Sequence, residues 1–291
     1  MANEYGIYDI AGLKVKIEGM GEQLNKRMSE YVLPLPKEGE HTCDLGVYIL
    51  KTQDKILLPD NYTDLYTGKM WNLFQADNCR GVYKTLKSME DEISVYMEIS
   101  QNRADLTLLS VTDEDCKARE YGFSGYAISE LMLRHKRLVL HSSCISVNGR
   151  AILFSAPSGT GKSTHTGLWQ EYVKDTVYIN DDTPIIRLDS DKVYACGSPW
   201  SGKTNLNSNI SSQLDGIVFL ERGDKNYIEE LGGTEAFARL LGETRKFPFK
   251  DSIEMASELC GELIERVPIY RLSCNISKEA VEVVKNAVLG M

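Results

Sequence analysis

Residues 154–169 read FSAPSGTGKSTHTGLW, a stretch whose glycines, lysine and hydroxyls have the types and the spacing to hold phosphate. Ala156, Pro157, Ser158, Gly159, Thr160, Gly161, Lys162 and Ser163 fit a relaxed phosphate-binding loop (P-loop), with Ala156 in place of the usual first glycine. Gly159 and Gly161 can take backbone angles that other residues avoid, so consecutive N–H groups can turn inward on an anion. A helix expected from Ser163 to Tyr172 adds its N-terminus to the same site. Lys162 can reach the β- and γ-phosphates of a nucleotide, and the Ser163 hydroxyl can ligate Mg²⁺. Thr164 completes the set of nucleotide-binding candidates. The chemistry implied is binding of ATP, or of another phosphoryl donor, together with Mg²⁺. The plainer alternative is a Gly-rich turn that happens to contain Lys-Ser.

Two carboxylates follow further along. Asp181 and Asp182 end the apolar run TVYIN at 176–180. A parallel strand beside the loop strand would end near the phosphates. Adjacent carboxylates there can bind Mg²⁺ and accept a proton from an attacking hydroxyl. The string NDDTP is also good turn chemistry, and which aspartate is base and which is metal ligand stays open. His141 closes LVLH; a histidine after an apolar run is usually structural, and a catalytic role is the sharper alternative. His165 is read as a bland helix residue. The stretch GSPWSGKTNLN, 197–207, does not build a core strand. It is either an ordinary surface loop or one that closes over the phosphates and orients an acceptor, with Lys203 and Ser201 as substrate-binding candidates.

These residues need elements to carry them. Asn148-Gly149 between the apolar runs CISV and RAILFS is a type I′ hairpin signal whose second strand feeds the loop. Ile128, Leu131, Met132 and His135 recur at helical spacing within 124–136. The region before residue 118 reads as short strands: ISVYMEIS alternates Ile93, Val95, Met97 and Ile99, and LGVYIL, GVYKTL and LTLLSV look alike. The last third reads as mostly helical. Asp251 and Glu254 suggest an N-cap and its N3 acid, Ile253, Ala256, Leu259, Cys260 and Leu263 form a stripe before Pro268, and 277–289 is a final amphipathic helix. A β-rich region over 1–117 and a second domain over 118–291 follow.

Composition narrows the partners. The chain has 291 residues, 42% hydrophobic and 26% charged, with a net charge of −9. That acidic balance argues against nucleic acid as a main partner. Seven cysteines form no C-x-x-C pair, which reads as free thiols in a reducing cytosol. No long uncharged apolar run suggests a membrane span, and the first ten residues lack signal-peptide features, so a cytoplasmic protein is expected. No motif reports the oligomeric state.

Taken together, LHSSCISVNGRAILFSAPSGTGKST and YINDD resemble the HPr kinase/phosphorylase and phosphoenolpyruvate carboxykinase group of P-loop proteins, over about residues 120–225. The resemblance implies an α/β (α+β) fold, a carboxykinase-like P-loop kinase core with a mixed sheet, preceded by the β-rich region. It implies an ATP- and Mg²⁺-dependent kinase. Residues 156–163 would cradle the phosphates, with Lys162 on the β/γ end. Ser163, Asp181 and Asp182 would serve the metal, one aspartate would take the proton, and His141 would lie near the acceptor phosphate. Thr164 stands where the HPr-kinase loop is usually followed by Glu, and CGSPWSGK occupies the place of that family's Glu-bearing segment. The acceptor implied is a hydroxyl, on a protein or peptide serine first and on a small metabolite second. The competing reading is a non-catalytic nucleotide-binding regulatory module.

Overall fold

Strands with one buried face place an apolar residue at every second position, and residues 93–99 of the first sheet do this: Ile93, Val95, Met97 and Ile99 are all buried. The computed structural model describes residues 5–35, 43–86, 89–110 and 112–290. The chain forms two units, Met1–Arg134 with Phe247–Lys250, and His135–Lys246 with Asp251–Met291. The expected domain boundary at 117/118 falls inside a helix that the first unit keeps whole.

The first unit is a nine-stranded sheet: β1 (Tyr5–Ile10), β2 (Leu13–Glu18), β3 (Val32–Leu33), β4 (Leu45–Thr52), β5 (Thr63–Thr67), β6 (Asn72–Gln75), β7 (Arg80–Leu86), β8 (Met89–Ile99) and β9 (Arg103–Leu109). Their order is β3-β1-β2-β4-β9-β8-β7-β6-β5. β4 runs parallel to both β2 and β9, and the other pairs are antiparallel. The last residue of LTLLSV, 111, lies outside the described residues, as do residues 1–4 of the N-terminal stretch. A long helix, α2 (Asp113–Leu133), packs on β4 and β9 of this sheet, and a short one, α1 (Glu22–Arg27), packs against α2. The helix expected from residue 124 begins eleven residues earlier. Thr112 caps it, its hydroxyl accepting from the Asp115 N–H at 3.3 Å. His135 lies beyond its end.

The second unit carries the site. Its strands are β10 (Arg137–Val139), β11 (Ser142–Val147), β12 (Arg150–Ser155), β13 (Thr176–Asn180), β14 (Ile185–Leu188), β15 (Val193–Cys196), β16 (Ser211–Arg222), β17 (Tyr227–Glu230) and β18 (Ile269–Cys274). The order β10-β14-β15-β16-β12-β11-β13 holds for seven, and β18 joins β16 with β17 on its far side. β12, β16 and β18 are parallel neighbours and the remaining pairs are antiparallel, so the sheet is mixed. β11 and β12 form the expected hairpin, with Asn148 at φ 52° and Gly149 at φ 79°, the two positive angles of a type I′ turn. The last third is less helical than expected: alongside α4 (Gly233–Glu243), α5 (Lys250–Arg266) and α6 (Lys278–Val284) it holds β16, β17 and β18. GIVFL in β16 is a continuous apolar run buried on both faces, a pattern with no period to separate strand from helix. α5 starts at Lys250, so Asp251 lies inside the first turn rather than capping it, and Ile253 is exposed while Ser252 is buried.

The helix α3 (Lys162–Tyr172) follows the loop and anchors it. Trp169 is fully buried, packed with Phe154 of β12 and His165 and lying in one core with Val218 of β16, Leu272 of β18 and Val281 of α6. Truncating so large a buried side chain removes its transfer energy and leaves a void. Trp169→Ala is expected to lose about 3–5 kcal/mol of stability, read from the midpoint of urea denaturation at constant slope.

Candidate functional site

The loop between β12 and α3 is shaped by its two glycines. Gly159 sits at φ 80° and Gly161 at φ 123°. A Cβ at either would meet nothing within 4 Å, so backbone angle rather than space requires glycine there. The Thr160 N–H donates to the Pro157 carbonyl at 3.2 Å, and the His165 N–H to the Gly161 carbonyl at 2.9 Å, starting the helix. Ser158, Gly159, Gly161, Lys162, Ser163 and Thr164 line a cavity of about 580 Å³, whereas Ala156, Pro157 and Thr160 do not. Ala156 contributes its carbonyl, which accepts from Lys162 Nζ at 2.8 Å.

Across the same cavity lie His141, Asp181, Asp182, Ser201 and Lys203. The strand that delivers the aspartates does not lie beside the loop strand, as the sequence suggested. β11 stands between, so β13 runs parallel to β12 one strand removed. The two carboxylates part company. Asp181 is buried and accepts from the Ser143 hydroxyl at 2.7 Å and from the Ser163 hydroxyl at 3.1 Å. Asp182 is partly open, with Oδ1 3.8 Å from His141 Nε2.

Ser163 Oγ and Asp181 Oδ2 are thus adjacent oxygens at the start of α3. Mg²⁺ ordinarily takes one or two protein ligands of this kind and completes its shell with water and phosphate oxygens, which this pair fits. Among the described residues no group of three or more His, Cys, Asp or Glu side chains converges as a self-sufficient metal site.

His141 is held by a group the sequence did not disclose. Glu243, at the end of α4, places Oε2 2.8 Å from His141 Nδ1. Lys162 Nζ lies 3.1 Å from Nε2. An ammonium only donates, so Nε2 accepts and Nδ1 carries the proton given to Glu243. Burial holds the Lys162 amine below its usual range, partly offset by Glu243, Asp182 and Asp181. The hydrogen bond from His141 holds the Glu243 carboxyl below its usual range, against its partial burial.

A second residue passed over is Asn180. It is wholly buried, and its Oδ1 accepts from the Asp182 and Thr183 N–H groups at 2.8 and 2.7 Å. Its Nδ2 donates to the carbonyls of Ser198 and Trp200 at 2.8 and 3.3 Å. One amide therefore forms the turn that presents Asp182 and pins the 197–207 loop. That loop is not an ordinary surface loop, because Ser198, Trp200 and Ser201 are buried. Ser201 Oγ accepts from Asn207 Nδ2 at 3.0 Å, and Lys203 stands exposed at the cavity mouth. Gly202, at φ 67°, leaves room for Asp182, whose Cβ would lie 3.0 Å from an added methyl. His165 is buried, its Nε2 accepts from the Trp169 indole N–H at 3.2 Å, and burial lowers its pKa to about 4.

A family model described as SynChlorMet cassette protein ScmC matches residues 107–289, more than half of the chain. No curated protein matches. The solved structure of the Hpr(Ser) kinase/phosphatase from Coxiella burnetii is 8% identical, with a TM-score of 0.33, covering 53% of this chain and 97% of that one. That likeness is slight. No helix among the described residues is long and apolar enough to cross a membrane.

Two outcomes test the site's construction. Because the folded Glu243 carboxyl lies below its ordinary value of 4.5, its contribution to stability is complete above that value and is lost as pH falls through the folded one. Glu243→Gln should therefore show a shallower fall in stability than wild type on acidification below about pH 5, measured by denaturation at a series of pH values. Asn180→Ala leaves buried backbone groups without partners and should cost about 1–3 kcal/mol or more, with faster protease cleavage in 197–207 as the second readout.

Proposed function

The chain belongs to the ScmC family, and we propose that it is a Mg²⁺-dependent phosphotransferase that moves the γ-phosphoryl group of ATP to a hydroxyl. The observation that carries this reading is the meeting of Lys162, Ser163, Asp181, Asp182 and His141 around one cavity at the end of the glycine loop. A module that only bound nucleotide would have use for the loop and Lys162. It would have none for an open carboxylate beside them.

Each side chain has a part in this reading. The loop amides and the N-terminus of α3 hold the phosphates. Lys162, tethered at the loop mouth by Ala156 and His141, bears on the transferred oxygens, where charge develops. Ser163 and Asp181 would hold Mg²⁺, which when bound offsets phosphate charge. Asp182 accepts the proton of the acceptor hydroxyl as its oxygen bonds to phosphorus and the bond to the departing ADP breaks. His141, oriented by Glu243, sits beside Asp182 and holds the Lys162 amine through Nε2. His141 and Asp182 are each about one-third exposed at the side chain, so a hydroxyl carried on a peptide or protein can reach them. A serine is the acceptor we favour.

The test is phosphate transfer from labelled ATP with Mg²⁺ to serine-bearing peptides and to small hydroxyl compounds. Lys162→Ala and Asp182→Asn should each lower turnover by about two orders of magnitude or more. Asp182→Asn should still bind ATP. Nucleotide binding without turnover in wild type would replace the transferase by a regulatory module, and full-rate transfer by Lys162→Ala would defeat the loop assignment.

A further inference from the structure

The loop at 197–207 stands on a fixed base. Ser198, Trp200 and Ser201 are buried, and the Asn180 amide holds the carbonyls of Ser198 and Trp200. The Thr183 hydroxyl donates to the Trp200 carbonyl, and the Ser198 hydroxyl to the Thr183 carbonyl at 2.8 Å. Beyond that base the chain comes to the surface, with Lys203, Thr204, Asn205 and Leu206 all exposed. Thr204 uses its hydroxyl within the turn, donating to the Ser201 carbonyl at 3.2 Å and accepting from the Leu206 N–H at 3.4 Å. Of the loop side chains that line the first cavity, Lys203 is therefore the uncommitted one.

The other cations near the glycine loop are all occupied. Lys162 is tethered to the Ala156 carbonyl and to His141. A second cavity, of about 680 Å³, lies on the other flank of the glycine loop, walled in part by Leu168, Leu220 and Ile276. Its cation, Arg222, donates to the carbonyls of Gly159 and Thr160. The Lys203 amine has no hydrogen bond or ion pair among the described residues. It does not pair with Asp182, although Gly202 next to it packs against that side chain. A hydroxyl that reaches Asp182 thus passes an open ammonium. The aspartates and a donor's phosphates repel a further anion, and a cation at the mouth offsets that repulsion for an acceptor that carries one.

We propose that Lys203 is a specificity-determining residue that pairs with a carboxylate beside the acceptor hydroxyl, so that the acceptor is an acidic peptide segment, a serine with Asp or Glu within one or two residues. The proposal rests on the phosphotransferase reading and adds the chemistry of the acceptor to it. An extended chain advances about 3.3–3.6 Å per residue, so such a carboxylate lies within about 7 Å of the serine along the chain. Lysine suits this task, being a point charge on a flexible stem rather than a fixed fork. Lys203 contacts neither the reacting oxygen nor the phosphorus in this arrangement, and the transfer step is unchanged.

Short peptides with a single serine flanked by Glu, by Gln or by Lys provide the test, with the whole chain, ATP and Mg²⁺. Wild type should favour the Glu peptide over the Gln peptide by at least about fivefold in kcat/KM, with the difference in KM, and the preference should shrink at high salt. Lys203→Met should bring the Glu peptide to the level of the Gln peptide. Lys203→Glu should invert the order and favour the Lys peptide, which damage to the loop would not produce. Equal use of the Glu and Gln peptides by wild type, or a preference that survives Lys203→Met, overturns the proposal and leaves the transferase standing. A fall in kcat on all peptides alike in Lys203→Met also overturns it, and places the amine on the donor's phosphates. Fluorescence anisotropy of the same peptides, with the imido analogue of ATP bound, separates the two readings. Glu-peptide binding that needs Lys203 but gives no transfer with ATP supports the carboxylate site and defeats the transferase. Neither binding nor transfer of any peptide overturns both.

Discussion

Everything at the site depends on one buried amide. A primary amide buried without partners costs free energy, and one with every valence met becomes a rigid joint. Asn180 is such a joint: both its oxygen and its nitrogen are committed to backbone groups on opposite sides. The oxygen fixes the turn after β13, and that turn sends Asp181 inward and Asp182 toward the opening. The nitrogen holds Ser198 and Trp200, and so fixes where Ser201, Gly202 and Lys203 stand. The orientation of the acids and the position of the loop facing them are one constraint.

The inward acid extends the constraint to the glycine loop. Asp181 takes hydroxyls from Ser143 on β11 and Ser163 on α3, which ties three elements at one oxygen pair. A carboxylate at that depth is tolerable because each oxygen has a donor. The outward acid has no such ties. It shares its surroundings with His141, whose other nitrogen is occupied by Glu243. Two neighbours in sequence therefore have opposite environments, one a fixed bridge beside the loop serine, the other open to whatever enters. This difference is the structural ground for giving them different roles, a division that sequence alone leaves open.

How much of this was legible follows from where the information is stored. The loop, the Asn-Gly hairpin and the strand ending in two aspartates are local patterns, because backbone angle and strand periodicity act within a few residues. Asn180 stands inside NDDTP, a string with turn chemistry, and its oxygen makes that turn. What its nitrogen grips lies about twenty residues on, and no spacing rule reports that. Glu243 was invisible for the same reason. It is 102 residues from His141 and arrives because the backbone after α4 pairs with that before β11, the His141 N–H donating to the Glu243 carbonyl at 3.0 Å. The misplaced neighbour of β12 has a different cause. Strand direction can be guessed from a motif, but whether another strand slips between depends on how the hairpin partner β11 is used, and here it pairs on both edges.

The long strand β16 explains why one loop can face two cavities. Its first residues pair with β15 and its last with β18, while β12 lies along its middle. The sheet therefore forks along β16 between Gln213 and Ile217, before that strand reaches the level of the glycine loop. On the β11–β13 side of β12 the hairpin brings Ser143 and the aspartates; on the other side β16 and β18 run on past the loop and carry Arg222, Asp224 and Ile276. The loop has acidic and imidazole groups on one flank and Leu168, Leu220 and Ile276 on the other. The loop between these flanks is braced from both, by Lys162 against His141 and by Arg222 against its carbonyls.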